Sequence, residues 1–150
     1  GGRVIGAARG CLFVLACWVV DSAGASCASV AFSERVITDQ ADEVVSVFSI
    51  DVDGDGDVDT LSASYFDDTI AWYENDGTQS FAEHIITTLA DYGQSVFAID
   101  VDGDGDVDAL SASQEDDTVA WYENDGSESF TTRIVTTLAD YADSVFAIDV

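Results

Sequence analysis

The chain matches itself at an offset of 49 residues, and a chain of that kind folds as stacked copies of one unit. Phe32, Phe81 and Phe130 are spaced at this interval. So are Val47, Val96 and Val145, and Trp72 and Trp121. Residues 32–80 and 81–129 agree at 34 of 49 positions without a gap, and 130–150 agree with 81–101 at 15 of 21. Two full units (32–80 and 81–129) and a truncated third (130–150) are therefore expected, and residues 1–31 stand outside the pattern.

Inside a unit the apolar residues alternate with period two, the signature of a strand with two distinct faces. In the second unit the runs Phe81 to Leu89, Ser95 to Asp100, Ala109 to Ser113 and Thr118 to Asn124 read as strands. Turn residues separate them: Ala90 to Gly93, the Asp/Gly stretch 100–108, Gln114 to Asp117, and Asn124-Asp125-Gly126. Four strands in a repeat of this length predict an all-β fold built of β-propeller blades, each of four antiparallel strands. A β-solenoid or a stack of sandwich modules is the competing architecture, but solenoid coils are shorter and carry fewer strands. The first unit opens at Phe32, on the strand that otherwise follows an Asn-Asp-Gly turn. Residues 32–38 are accordingly expected to complete the last blade of a closed ring. The chain has no methionine and stops at Ile148-Asp149-Val150, inside a pattern seen twice before, so it reads as an incomplete ring, a fragment cut at both ends.

Each unit carries one conspicuous loop. Asp51-Val-Asp-Gly-Asp-Gly-Asp-Val-Asp59 recurs as Asp100 to Asp108, and Asp149-Val150 begins a third copy. Each complete copy has five carboxylates in nine residues. Two such charges about 5 Å apart cost roughly 1 kcal/mol in water and several times more near a protein surface, so the loop calls for a counter-ion. Calcium suits it, with 6–8 oxygen ligands at about 2.3–2.6 Å and tolerance of irregular geometry. Asp51, Asp53 and Asp55 would give side-chain oxygens, Asp57 its backbone carbonyl, and Asp59 would close the site. Asp100, Asp102, Asp104, Asp106 and Asp108 would do the same. Gly56 permits the bend at position six. Ser62 or Ser111 stands where a helix-loop-helix calcium loop needs glutamate, and the flanks read as strands. Magnesium demands a stricter octahedron, and zinc wants His or Cys, which the loops lack. The competing reading is an acidic turn that merely solubilises.

These residues also carry a resemblance. D-x-D-G-D-G-D-x-D, then Leu-Ser-Ala-Ser, then Ala-Trp-Tyr-Glu-Asn-Asp-Gly is similar to the VCBS/FG-GAP repeat family, whose members are blades of calcium-binding propellers related to the integrin α-chain head. The resemblance covers residues 32–150. It implies a ring of about seven blades. The Phe-Gly and Gly-Ala-Pro elements of the FG-GAP class are missing, so the likeness is to the VCBS-like branch, and integrin-type ligand recognition is not implied.

Composition limits the partners. Thirty acidic residues face four arginines, for a formal charge of −26, which excludes nucleic acid and an anionic membrane surface. With 47 % apolar residues the chain is not a disordered acidic tail. At the N-terminus, Arg3 and Arg9 precede the apolar run Cys11 to Val20, and Ala23 and Ala25 offer a cleavage pattern. Residues 1–28 thus read as a secretory signal peptide, the competing reading being a buried strand or helix. Cys11 and Cys17 would leave with it, so no internal disulfide is expected.

The remaining features have bland readings first. Trp72, Trp121, Tyr73 and Tyr122 read as blade core, with a sugar-stacking platform as the alternative. Arg35, His84 and Arg133 share one repeat position. They read as one ion pair per blade, against an anion-binding ring. Tyr65-Phe66 becomes Gln114-Glu115, a divergent connection where binding specificity could reside. The expected function is a secreted or cell-surface calcium-binding scaffold for an extracellular protein or carbohydrate ligand, not an enzyme. The alternative is the propeller of an extracellular polysaccharide-active enzyme whose catalytic residues lie elsewhere. A third reading is a non-functional piece of a longer chain.

Overall fold

The computed structural model describes residues 34–148; the signal segment and the third acidic loop at Asp149-Val150 lie outside them. Eight strands follow in order: β1 (Val44–Ile50), β2 (Asp59–Ser64), β3 (Thr69–Asn75), β4 (Phe81–Thr87), β5 (Gly93–Ile99), β6 (Asp108–Ser113), β7 (Thr118–Asn124) and β8 (Phe130–Thr136). They form two antiparallel sheets of sequential strands, β1-β2-β3-β4 and β5-β6-β7-β8. The described residues contain no helix, hence none long and apolar enough to cross a membrane. The two sheets do not close a ring. They are offset from the sequence units, because β4 and β8, which open units two and three, pair onto the end of the preceding sheet.

Alternation along each strand decides what the sheets bury. The row Phe48–Leu61–Trp72–His84 runs straight across the first sheet, flanked on the same face by Ile50, Ala63 and Ile70. This face packs on the opposite face of the second sheet, which presents Val96, Ala98, Ala109, Ala120 and Tyr122, with Phe130 beside them. Phe48 and Phe97 meet with ring centroids 4.6 Å apart, and Phe97 meets Phe146 at 4.9 Å. One phenylalanine per repeat thus links the first strand of each sheet to the next repeat. Polar pins recur in step with it: the Val96 N–H donates to Ser46 Oγ at 3.2 Å, and the Val145 N–H to Ser95 Oγ at 3.3 Å.

The other face of the first sheet buries Ala71 and Tyr73 under Ile37, Val44 and Phe81. Burial pushes the Tyr73 phenol up to about 12. Its counterpart Tyr122 exchanges a 3.0 Å hydrogen bond with Ser111 Oγ inside the seam between the sheets. The central strands β2 and β6 are buried along their whole length, whereas β8 is mostly exposed. Each acidic loop connects the first two strands of its sheet and so stands at one end of it, while the 65–68 and 114–117 turns stand at the other.

Candidate metal centre

The acidic loops fold on their own carboxylates. Asp51 Oδ1 accepts the N–H of Gly54 at 2.8 Å, and its Oδ2 accepts that of Gly56 at 3.0 Å. Asp53 Oδ1 then accepts from Asp55 N at 3.0 Å, and Asp55 Oδ1 from Asp57 N at 2.8 Å. The second loop repeats the ladder on Asp100, Asp102 and Asp104. Gly56 and Gly105 have φ of +97° and +101°, a bend that L side chains rarely adopt.

Within each loop three carboxylates converge. Oxygens of Asp51, Asp53 and Asp59 lie within 4.8 Å of one another, as do those of Asp100, Asp102 and Asp108. Asp55 and Asp57, like Asp104 and Asp106, are not in these groups. The Asp57 carboxylate is turned against the 75–77 turn: a Cβ on Gly77 would meet its Oδ2 at 2.5 Å, and one on Gly126 would meet Asp106 Oδ2 at 2.5 Å. Any contribution from position seven therefore falls to its backbone carbonyl.

Asp59 anchors the arrangement. It is fully buried on β2, where its Oδ2 accepts the N–H of Val52 at 2.9 Å and its Oδ1 that of Asn75 at 2.8 Å. Asp108 does the same with Val101 at 2.9 Å and Asn124 at 2.8 Å. Each oxygen keeps a second lone pair. Asn75 also sends its Nδ2 to Val58 O at 3.2 Å, and Asn124 to Val107 O at 3.1 Å, which clamps the loop exit. Asn75, Asn124, Gly77 and Gly126 were read from the sequence only as turn residues. Their signal was the fixed spacing of Asn-Asp-Gly from the loop in both units.

The electrostatics are unresolved by the protein itself. Burial holds the Asp59 carboxyl above the usual range, against the two N–H donors from Asn75 and Val52. Asp53 is raised by burial and by the charges of Asp55 and Asp51; Asp102 is raised by burial and by Asp104 and Asp108. The basic side chains in the described span are Arg35, His84 and Arg133. Of these, His84 pairs with Glu74 at 2.8 Å and Arg133 with Glu123. A buried carboxylate converging with two others and in no direct ion pair is a donor set compatible with a hard divalent ion.

The sign of the pH dependence follows. A carboxyl raised above its ordinary 3.8 binds protons more tightly when folded, so its contribution is present at low pH and lost as pH rises through the folded value. In solution stripped of divalent ions, acidification from neutrality towards the carboxylate range should raise the melting temperature. With calcium present the same change should lower it, because protons and ion compete for the same oxygens. Melting curves at several pH values with and without calcium check both slopes, and slopes of the same sign would contradict this electrostatic account.

Stacked four-stranded antiparallel sheets with a cation-compatible acidic loop between their first two strands define a repeat consistent with β-propeller blades. A family model described as FG-GAP-like repeat matches residues 51–111 and again 100–150, and the chain belongs to that family. No curated protein and no solved structure gave a match to the chain.

Proposed function

We propose that the chain is part of a secreted, calcium-stabilised β-propeller that works as a binding or adhesion scaffold and is not itself an enzyme. The observation that carries the proposal is the pair of buried carboxylates, Asp59 and Asp108, each converging with two loop aspartates and none of the six in a direct ion pair. FG-GAP-like repeats are typical of extracellular binding modules, in keeping with the signal-like N-terminus and the strongly acidic surface. Calcium in the loops supplies charge neutralisation, and Asp51, Asp53 and Asp59 hold it while the Gly54 and Gly56 N–H groups keep Asp51 in place.

Ligand recognition belongs to the opposite end of the first sheet. There Tyr65 stacks on Tyr92 with centroids 4.5 Å apart, Phe66 meets Tyr65 edge-on at 5.2 Å, and Phe66 is 56 % exposed. An extracellular protein or carbohydrate fits such a platform, because aromatic faces contact sugars and apolar side chains alike. Calorimetry on the full chain tests the metal half of the proposal. Two equivalents of Ca²⁺ are expected, falling to one in Asp59→Asn and to none in the Asp59→Asn/Asp108→Asn double variant. Absence of any heat of uptake would overturn it.

A further inference from the structure

A second cluster lies outside the acidic loops. His84 on β4, Glu74 on β3 and Glu128 in the turn between β7 and β8 each place one ligand atom within 4.8 Å of the others. His84 and Glu74 belong to the first sheet and Glu128 to the second, so the cluster spans the seam between them. The imidazole stacks on Trp72 with centroids 4.5 Å apart and 25° between planes, and Trp72 is fully buried. This contact sets the plane of the ring and leaves Nε2 facing Glu74 Oε2 at 2.8 Å.

Comparison of the units shows what is special here. The residue equivalent to His84 is Arg35 in the preceding unit and Arg133 in the following one. Arg133 pairs with Glu123 and lies 5.5 Å from the Trp121 ring centroid, a permanent cation over the conserved position of the indole in the repeat. The residue equivalent to Glu128 is Gln79. At this one seam the guanidinium is exchanged for an imidazole and the amide for a carboxylate, and the two exchanges face each other. An arginine cannot ligate a metal, whereas a neutral imidazole can. A seam that needed only an ion pair would be served by the arginine used in the next unit.

From this we infer a zinc-class site formed by His84 Nε2, Glu74 and Glu128, distinct from the calcium loops and bridging the two sheets. Zinc takes imidazole nitrogen and carboxylate oxygen at about 2.0–2.2 Å, which sets tetrahedral ligands roughly 3.4 Å apart. The 2.8 Å contact of His84 with Glu74 need open only slightly, and the exposed Glu128 swings in from the facing turn. The remaining coordination position faces solvent and takes water. A hard ion such as calcium has little use for the imidazole, so the two kinds of site sort their metals by ligand chemistry.

The test uses the full chain, its three cysteines alkylated and its acidic loops saturated with calcium. His84 is the single histidine, so its ring signals in an NMR spectrum are unambiguous. Titration with Zn²⁺ should move them to a bound form that saturates at one equivalent. Glu128→Gln should weaken this uptake at least tenfold, and His84→Arg, which has no histidine signal and is read by calorimetry, should show no heat of Zn²⁺ uptake. Because arginine is the residue of the neighbouring unit, His84→Arg should also keep the calcium-loaded melting temperature within a few degrees of the parent chain, which separates lost binding from lost folding. Ring signals that stay put at stoichiometric Zn²⁺ would overturn the site. Wild-type affinity in Glu128→Gln would overturn its bridging of the seam.

Discussion

Stripping divalent ions from the full chain should lower its melting temperature by about 10 °C. The size follows from mass action. An ion bound with an extracellular-type affinity near 10⁻⁴ M, at about 1 mM free calcium, adds roughly 1.4 kcal/mol to the folded state. Two complete loops double that, and a domain of this size shifts by about 4 °C per kcal/mol. The effect should be larger than the ion pairs can produce, since a solvent-screened pair such as Arg133 with Glu123 contributes little. Scanning calorimetry in chelator and in calcium measures the difference. Equal melting temperatures would mean that the carboxylates tolerate one another without a cation.

The second large effect is expected from Asp59→Ala. The substitution strands the N–H groups of Val52 and Asn75, both of which now end on that carboxylate. A buried donor left unpaired costs about 1–3 kcal/mol, so the loss should be about 3 kcal/mol even with divalent ions removed. Asp59→Asn separates hydrogen bonding from charge. It preserves the shape and removes the buried charge but keeps one acceptor, leaving one of the two N–H groups unpaired, so in chelator the loss should be about 1–2 kcal/mol and smaller than in Asp59→Ala. It should nevertheless lose the calcium-dependent gain of its own loop. Asp55→Ala is the control, because Asp55 is exposed and holds only the Asp57 N–H. Urea denaturation of the three variants, with and without calcium, gives the comparison. A loss in Asp59→Ala no greater than in Asp55→Ala would deny Asp59 its anchoring role.

Much of the fold could be read in the residues because period-two alternation and turn chemistry are local signals. Thr118 to Asn124 is a strand at the predicted limits, and Ala109 to Ser113 is a strand that begins one residue earlier, at Asp108. The shape of the acidic loop was legible for the same reason: nine neighbouring residues carry both the carboxylates that accept its N–H groups and the glycines that bend it. Its support was not legible. Asn75 reaches Asp59 across 16 positions, a contact set by the register of β2 on β3, in which Thr60 faces Tyr73. The proximity of His84 to Glu128 is further still from local sequence, since it depends on one sheet lying against the next. The offset between sequence unit and sheet has a similar origin. A sequence repeat has no intrinsic starting point, and only hydrogen bonding shows that Phe81 to Thr87 closes one sheet rather than opening another.

The packing of the front of one sheet on the rear of the next has an architectural consequence. A surface whose complement is the rear of its own copy has no internal terminus: nothing in the contact chemistry says how many copies to add. Size is then governed by the small rotation between neighbours, and a circle forms only at the number that brings the first back onto the last. With that rotation fixed, one module too many overlaps the first and one too few leaves a gap, so a change in copy number has to be spread as a small adjustment over every seam.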